Sequence, residues 1–525
     1  MPRADAVPAL LAAAVIVVLG FDEGGYAPGS WVWAAALLVV VAVTLVRGRS
    51  GRPGALDLVF LGGLAGLFLW TLLSTWWSLD PTGSILEAQR VLLYLATAAA
   101  LVLVAERGSR EAMLLGGLAG IAAVCLAGIA DVLVGGDPVG AFTDDPGSTN
   151  RLAEPVGYAN ALAVIAAMGA LVSLGLALAA TGAVRIAYLA AIPVFVVTLY
   201  LTYSRGGWLA LAVGLVAMLA VRLPALDRRI AIPLAAGVVL AASVAVIAVA
   251  RGFDSSTTTP ASGASRLTTV SGSNRAEYWG VAWRDVENHP VVGSGAGSWG
   301  RFWVRERPVP QPARDAHSLF LETLAELGPL GLALLVAAFA APFAAAGRTR
   351  GDALTAAALG PFAAYTAHAA QDWDWELPAA TVPAIVSAVA LLVGARSPSR
   401  QPLGVGLAGA VVAGVLAVVT LAAYAGNRAL EVAETGSDAS ARRAARLQPW
   451  SAQPWRVLGE AQLAAGEAER ARETFLDALD RDDGDWELWL DVALASEGDE
   501  RDRALARAQD LNPLEPAIGE LRAGS

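Results

Sequence analysis

The stretch Asp315-Ala316-His317-Ser318-Leu319-Phe320-Leu321-Glu322, running on to Glu326 and Gly328, decides how this chain is read. It stands where a long polar segment, from about residue 251 to 331, gives way to apolar sequence. Ionisable side chains at such a border are costly unless they are paired or used, so we read it as the rim of a candidate site. Inside the same segment Arg275, Glu277, Trp279, Trp283, His289-Pro290 and the glycines Gly293, Gly295 and Gly297 form a second dense group. A plain connecting loop needs none of them.

Working outward, the 525 residues are 56% hydrophobic and 16% charged, with a mean hydropathy of +0.55. That balance lies outside the range of soluble domains and implies a polytopic membrane protein. The net charge of -10 is unevenly placed, since 21 acidic and 12 basic residues follow from Ala425 onward. The tail therefore reads as a soluble, acidic unit. A single cysteine, Cys125, lies in an apolar run, which leaves neither a disulfide framework nor a cysteine-based metal site. Every basic side chain is arginine, so a phosphate loop of the Walker type is excluded for want of its lysine.

Apolar segments long enough to cross a hydrocarbon core of roughly 30 Å fall near residues 6–20, 31–46, 56–77, 88–105, 112–135, 158–181, 184–203, 207–221, 230–250, 318–345, 353–369, 377–395 and 404–424. The first, lacking a small-residue cleavage site, reads as an uncleaved span. The expected fold is all-α: a transmembrane helical bundle of about thirteen spans with a large extracytoplasmic loop and a C-terminal α-helical repeat domain. Its parts are residues 1–250 with nine spans, the loop 251–317, four further spans in 318–424, and the tail 425–525. Arginines such as Arg47, Arg107, Arg110, Arg185, Arg222, Arg348 and Arg396 fall on alternate turns, which the charge rule assigns to the cytoplasm together with the N-terminus. Loop and tail then share the outer side.

Within the loop, the Ser/Thr-rich run 254–269 reads as a flexible approach, and Trp279 and Trp283 share a face at helical spacing. In the tail, Trp455, Leu458, Gly459, Ala471, Phe475 and Ala478 match the spacing of a tetratricopeptide unit, and Trp489 begins another. Such units stack for partner contact; a plain helical cap is the alternative.

His317 sits at the rim beside Asp315, Glu322 and Glu326, where a neutral imidazole can accept a proton from an attacking hydroxyl. Arg205, in Ser204-Arg205-Gly206-Gly207, lies between two spans on the same side. It is either an interfacial side chain reaching for the headgroups or a clamp for phosphate oxygens. Arg275 is the natural second clamp. Acidic residues look too scattered for an Asp-based metal site, and two arginines suffice to stabilise a pyrophosphate leaving group; neither metal nor cofactor is expected. His368, followed by Gln371-Asp372-Trp373-Asp374-Trp375-Glu376, lies on a short turn that either binds sugar or forms an aromatic belt. His289 reads as a turn-packing residue rather than a catalyst, Asn160 in Gly157-Tyr158-Ala159-Asn160 as a helix cap or else a residue lining the path of the lipid-linked substrate, and Arg90 as a snorkelling side chain, with lipid phosphate binding as the alternative.

These residues resemble the O-antigen ligase and polymerase superfamily of bacterial membrane glycosyltransferases. The resemblance rests on His317-Ser318 with Gly328 downstream, on Arg275, Glu277, Trp279 and the His289-Pro290 to Gly297 run, and on Ser204-Arg205-Gly206. It implies transfer of a glycan from undecaprenyl pyrophosphate without nucleotide sugar or metal. By the same resemblance His317 is the general base and Arg205 and Arg275 bind pyrophosphate, while His368 with Asp372 resembles a less widespread part of the pattern. Glu277, Glu322, His368 and Asp372 are expected to contact substrate.

The leading expectation is thus a metal-independent glycan ligase or polymerase on the outer face of the cytoplasmic membrane. Its partners would be the lipid-linked glycan, an acceptor glycan, lipid or protein, membrane lipid, and a protein met by the tail. No nucleic acid is implied. A transporter or flippase for lipid-linked sugar would instead carry paired repeats and mid-membrane charge, and a scaffold would use the membrane part only as an anchor.

Overall fold

The computed structural model describes residues 3–47, 53–135, 151–222, 274–396, 406–435 and 438–523. Every α-helix or 3-10 turn among them follows the expected all-α class, with no strand among the described residues. The N-terminal part comprises α1 (Arg3–Gly20), α2 (Trp33–Arg47), α3 (Ala55–Ser74), α4 (Pro81–Val104), α5 (Arg110–Val134), α6 (Ala159–Ala179), α7 (Gly182–Leu201) and α8 (Arg205–Arg222). Two polar helices follow, α9 (Arg275–Asn288) and α10 (Trp299–Glu306). Then come α11 (Leu319–Arg348), α12 (Ala353–Ala369), α13 (Pro378–Gly394) and α14 (Gly406–Glu434), and six short helices, α15 (Asp438–Leu447), α16 (Gln453–Ala464), α17 (Ala468–Leu479), α18 (Trp486–Leu494), α19 (Gly498–Leu511) and α20 (Pro516–Ala523).

Nine helical stretches among the described residues are long and apolar enough to cross a membrane. They are carried by α2 to α8, α11 and α14, while the apolar part of α1 and the whole of α13 are shorter. Helices stand at every expected span except the one near 230–250, which lies outside the described residues, as does the run 254–269. Alanine and glycine let these helices approach closely. A Cβ on Gly175 of α6 would lie 2.2 Å from the Cα of Ala357 in α12. All of α13 is buried, which explains why so short an apolar helix belongs to the bundle's centre.

The arginine-bearing turns are tied together at one end. Arg396 donates to both oxygens of Asp57 at 2.8 and 2.9 Å and to the carbonyls of Val102 and Ala105. Arg110 joins Asp352 at 2.7 Å and the carbonyl of Ala390, and Arg222 reaches the carbonyl of Ala353. The buried charges of Arg396 and Arg110 are tolerable there because each is paired with a carboxylate and hydrogen-bonded to carbonyls. The polar helices and the C-terminal stack occupy the opposite end, where α3 finishes and α4 and α11 begin.

One span departs from expectation. α11 is broken at Gly328, whose φ of 67° and ψ of -172° no helix contains. A side chain at that φ is strained, and a Cβ there would lie 2.5 Å from the carbonyl oxygen of Val291. The break lets the segment 291–298 lie against α11, with the N–H groups of Ser294 and Gly295 donating to the carbonyls of Ala325 and Glu326. The spacing from His317 to Gly328 therefore has a mechanical basis: one turn-rich segment is laced to the short helical piece that follows the histidine.

The six C-terminal helices pack as successive neighbours, α15 with α14 and α16 around Ala433, Ala441 and Leu458, and the rest around Ala471, Phe475, Ala478, Leu488, Val492 and Leu505. A Cβ on Gly459 would meet the Phe475 ring at 2.4 Å, so the spacing noticed in the sequence reports tight helix packing. The stack also touches α10 of the polar segment.

Candidate active site

Asp372 is the organising carboxylate. It is 1% exposed and accepts from four donors: Arg275 Nη2 at 2.9 Å, Asn160 Nδ2 at 2.8 Å, the Tyr158 hydroxyl at 2.9 Å and the Trp373 N–H at 3.0 Å. Burial opposes its charge, but Arg275, the nearby histidines and the backbone hydrogen bond hold its carboxyl below the usual carboxylate value. Arg151 extends the network, donating to Asn160 Oδ1 at 2.5 Å and to the carbonyl of Thr202 at 2.9 Å. Among the described residues the Arg275 Nε has no hydrogen-bond partner. That leaves one buried guanidinium N–H for an anion.

Helix α9 sets Arg275 and Tyr278 one turn apart on the same face. Tyr278 packs edge-on against Trp303, with centroids 4.9 Å apart, and faces the ring of His317 at 5.0 Å. His317 is non-glycine at φ +54°, and such a conformation persists where the surroundings impose it. Its Nδ1 lies 3.0 Å from the carbonyl oxygen of Asp315. The Nδ1–H donates there, which leaves Nε2 as the lone-pair acceptor. Burial first, and the Arg275 charge after it, pull the imidazole pKa below its ordinary value against the opposing effect of Asp372. The ring is therefore neutral near pH 7 and available as a base.

His368 stands four residues before Asp372 and is fully buried, its Nδ1 bonded to Asp374. Its Nε2 faces the start of α8: a Cβ on Gly206 would lie 2.9 Å from that nitrogen. The Arg205–Gly206 junction thus abuts the cluster through backbone contact.

A second group adjoins the first. Carboxylate oxygens of Asp315, Glu322 and Glu376 lie within 4.8 Å of one another. Arg90 pairs with Glu87 at 2.7 Å and Glu376 at 3.1 Å and sits over the Trp31 ring. Burial, then Glu376 and Glu322, push the Asp315 carboxyl well above its usual value. The acidic residues are therefore gathered, which corrects the expectation that they are scattered. Either this trio or His368, Asp372 and Asp374, equally close together, has the donor set to hold a cation. Glu87, Glu322 and Glu326 also line a small pocket.

The expected residues divide plainly. Arg275, His317, His368 and Asp372 come together, with Arg205 at the edge. Glu322 belongs to the acidic group, where it accepts from the Ala316 N–H at 2.7 Å. Glu277 is partly exposed and makes no hydrogen bond or ion pair among the described residues. Asn160 is no cap: it lies inside α6 and bonds Asp372. Arg90 does not snorkel, because its partners bury it. The turn after His368 points inward, with Trp375 against Tyr94 at 4.6 Å and Trp373 against Tyr158 at 4.5 Å, unlike a lipid-facing belt. His289 packs as expected, its Nδ1 2.7 Å from Asp285. Tyr158, Asn160 and Arg151 had a signal in the Gly-Tyr-Ala-Asn run and the arginine before it; Tyr278 had only its helical offset from Arg275.

Residues 188–336 match the family model for O-antigen ligase. The matched segment runs from α7 into α11 and includes Arg205, Arg275, His317, Glu322 and Gly328; His368 and Asp372 lie beyond it. None of the curated proteins compared with the chain matches it. The match supports glycan transfer in general and, with the nine apolar helices, a multi-pass membrane protein of polysaccharide biosynthesis.

Proposed function

We propose that this chain transfers a glycan from an undecaprenyl-pyrophosphate carrier to an acceptor hydroxyl at the outer face of the cytoplasmic membrane. The observation that carries the reading is the convergence of His317, Arg275 and Asp372, with the Arg205 junction alongside. The acceptor O–H attacks the anomeric carbon, and its proton passes to His317 Nε2. The bond from that carbon to the phosphate oxygen breaks, and its electron pair leaves with the lipid pyrophosphate. Arg275 and Arg205 supply fixed positive charge where the leaving group develops its own. Asp372 holds Arg275 in place and is positioned in turn by Tyr158, Asn160 and the Trp373 N–H. Glu277, Glu322 and His368 contribute to substrate contact, and the C-terminal helices are tetratricopeptide-like. The arginine-rich end of the bundle faces the cytoplasm, which sets the site outside.

The test is transfer by purified protein from a lipid-pyrophosphate glycan, with and without chelator. Turnover that survives the chelator supports arginine clamps. Turnover abolished by chelator and restored by a divalent cation would replace them with a metal held by the carboxylates. His317→Ala with normal expression and intact transfer would remove the proposed base.

A further inference from the structure

Helix α10 has only eight residues, too few to hold its own shape, since isolated helices shorter than about 12–15 residues are marginal in water. Its placement comes from contacts on two sides. Inward, Trp299 and Trp303 stack on each other at 5.5 Å and both meet Tyr278, the residue against which the His317 ring rests. The Trp303 indole also donates to the carbonyl of Gln311 at 3.0 Å, on the path from α10 to His317.

Outward, α10 and its C-cap carry three arginines, and the C-terminal helical stack takes two of them, Arg301 and Arg307. Arg301 forks onto the two oxygens of Asp482, one of them at 2.6 Å, while its Nε lies 3.1 Å from Asp80 at the start of α4. One guanidinium thus joins bundle, polar segment and C-terminal stack. A Cβ on Gly484 would lie 3.2 Å from Arg301 Nη1 and 3.5 Å from the carbonyl of Leu79, so the turn after α17 is seated directly on this joint. Arg307 donates to Asn512 Oδ1 at 2.9 Å, and both residues are buried. The stack has a second footing on α4, where Gln448 bonds Asn427 and Asn427 bonds Gln89 at 3.2 Å. It is anchored to the bundle at one point and grips α10 at another.

We infer that the C-terminal stack positions the histidine loop from within the same chain, with Arg301 and Arg307 as positioning residues acting through Trp299, Trp303 and Tyr278. The inference rests on His317 being the base, and it gives the stack a task beyond meeting another protein. Forked arginine–carboxylate pairs fix orientation as well as distance. A displacement of about 1 Å at a reacting group can lower a rate on the order of 100-fold.

The experiment uses the full chain in detergent, with Asp482→Ala and Asn512→Ala measured for amide hydrogen exchange and for transfer kinetics. Exchange over residues 299–317 is expected to quicken while α6 and α13 are unchanged. The kcat is expected to fall about 10- to 100-fold with the donor KM held, and Asp482→Glu, which keeps a carboxylate, to recover most of it. Glu500→Ala, which removes a partner of Arg472 elsewhere in the stack, should change neither readout. Where Asp482→Ala folds poorly, Asp482→Asn takes its place. Unchanged exchange over 299–317 overturns the grip whatever the activity, and faster exchange with unaltered kcat overturns the positioning. Absence of transfer by the unsubstituted protein would count against the proposed reaction alone, because exchange still decides whether the stack holds α10.

Discussion

Replacing Asp372 by asparagine keeps the shape of the side chain and removes half of what it does. One carboxylate oxygen accepts from the Tyr158 hydroxyl and the Trp373 N–H, and the other from Asn160 Nδ2 and Arg275 Nη2. Whichever way the amide turns, its NH2 stands where an oxygen accepted twice, and of the four partners only the Tyr158 hydroxyl can turn to accept from it. Each orphaned neutral donor costs about 1–3 kcal/mol, and breaking a buried ion pair costs about 3–5 kcal/mol. Asp372→Asn should therefore destabilise the protein by about 3–5 kcal/mol and lower kcat/KM about 100-fold or more, the size of losing a preorganised donor. Thermal unfolding followed by tryptophan fluorescence, with transfer kinetics on the same preparation, measures both. Arg396→Ala is the control, since it breaks a comparably buried pair with Asp57 at the opposite end and should lower the melting temperature while leaving kcat intact. An Asp372→Asn protein that melts and transfers as the unsubstituted one does would refute the reasoning. Equal loss of transfer in both variants would reduce Asp372 to a purely structural residue.

Two further outcomes follow from the geometry. Because burial and Arg275 lower the His317 pKa, the base is neutral above that value and is lost only as the pH falls through it. The acid limb of kcat/KM should then have its midpoint below 6.5, the ordinary histidine value, and His317→Asn, which tolerates positive φ, should lower kcat by about 10²- to 10⁴-fold; a limb centred above 6.5, or one that persists in the variant, contradicts this. Gly206→Ala sets a methyl 2.9 Å from His368 Nε2, and overpacking of this kind costs about 1–3 kcal/mol. Displacing the start of α8 should raise the donor KM about tenfold, equivalent to about 1.4 kcal/mol, with the acceptor KM unchanged; an unaltered donor KM would separate Arg205 from donor binding.

Much of the architecture was legible because apolar length is a local property: each span announces itself within some twenty residues. The rim histidine was legible too, through its position at a polar-to-apolar border and its interval to Gly328. What escaped was long-range pairing. Asn160 looks like a cap because its neighbours say helix start, and nothing near it reveals a carboxylate 212 residues away. Arg90 reads as snorkelling for the same reason, since Glu376, its distant partner, and Asp315, whose carboxyl feels its charge, come from the other half of the chain. Acidic residues that are scattered along the sequence, Glu87, Asp315, Glu322 and Glu376, become neighbours only once α4 and α11 have both packed on α3 and α13. The task of Arg301 was invisible on similar grounds, as its partners Asp80 and Asp482 lie far away on either side of it.

The break at Gly328 makes the short helical piece before it a ruler. Glu326 receives the N–H groups of Gly297 and Trp299 at 2.9 and 2.8 Å, while Glu322, one turn earlier, receives that of Ala316. Each residue of an α-helix advances the side-chain direction by about 100°, so inserting or deleting a single position between Ser318 and Gly328 would swing both carboxylates away from the amides they grip. The length of the interval is therefore as fixed a requirement of this segment as the two glutamates it spaces.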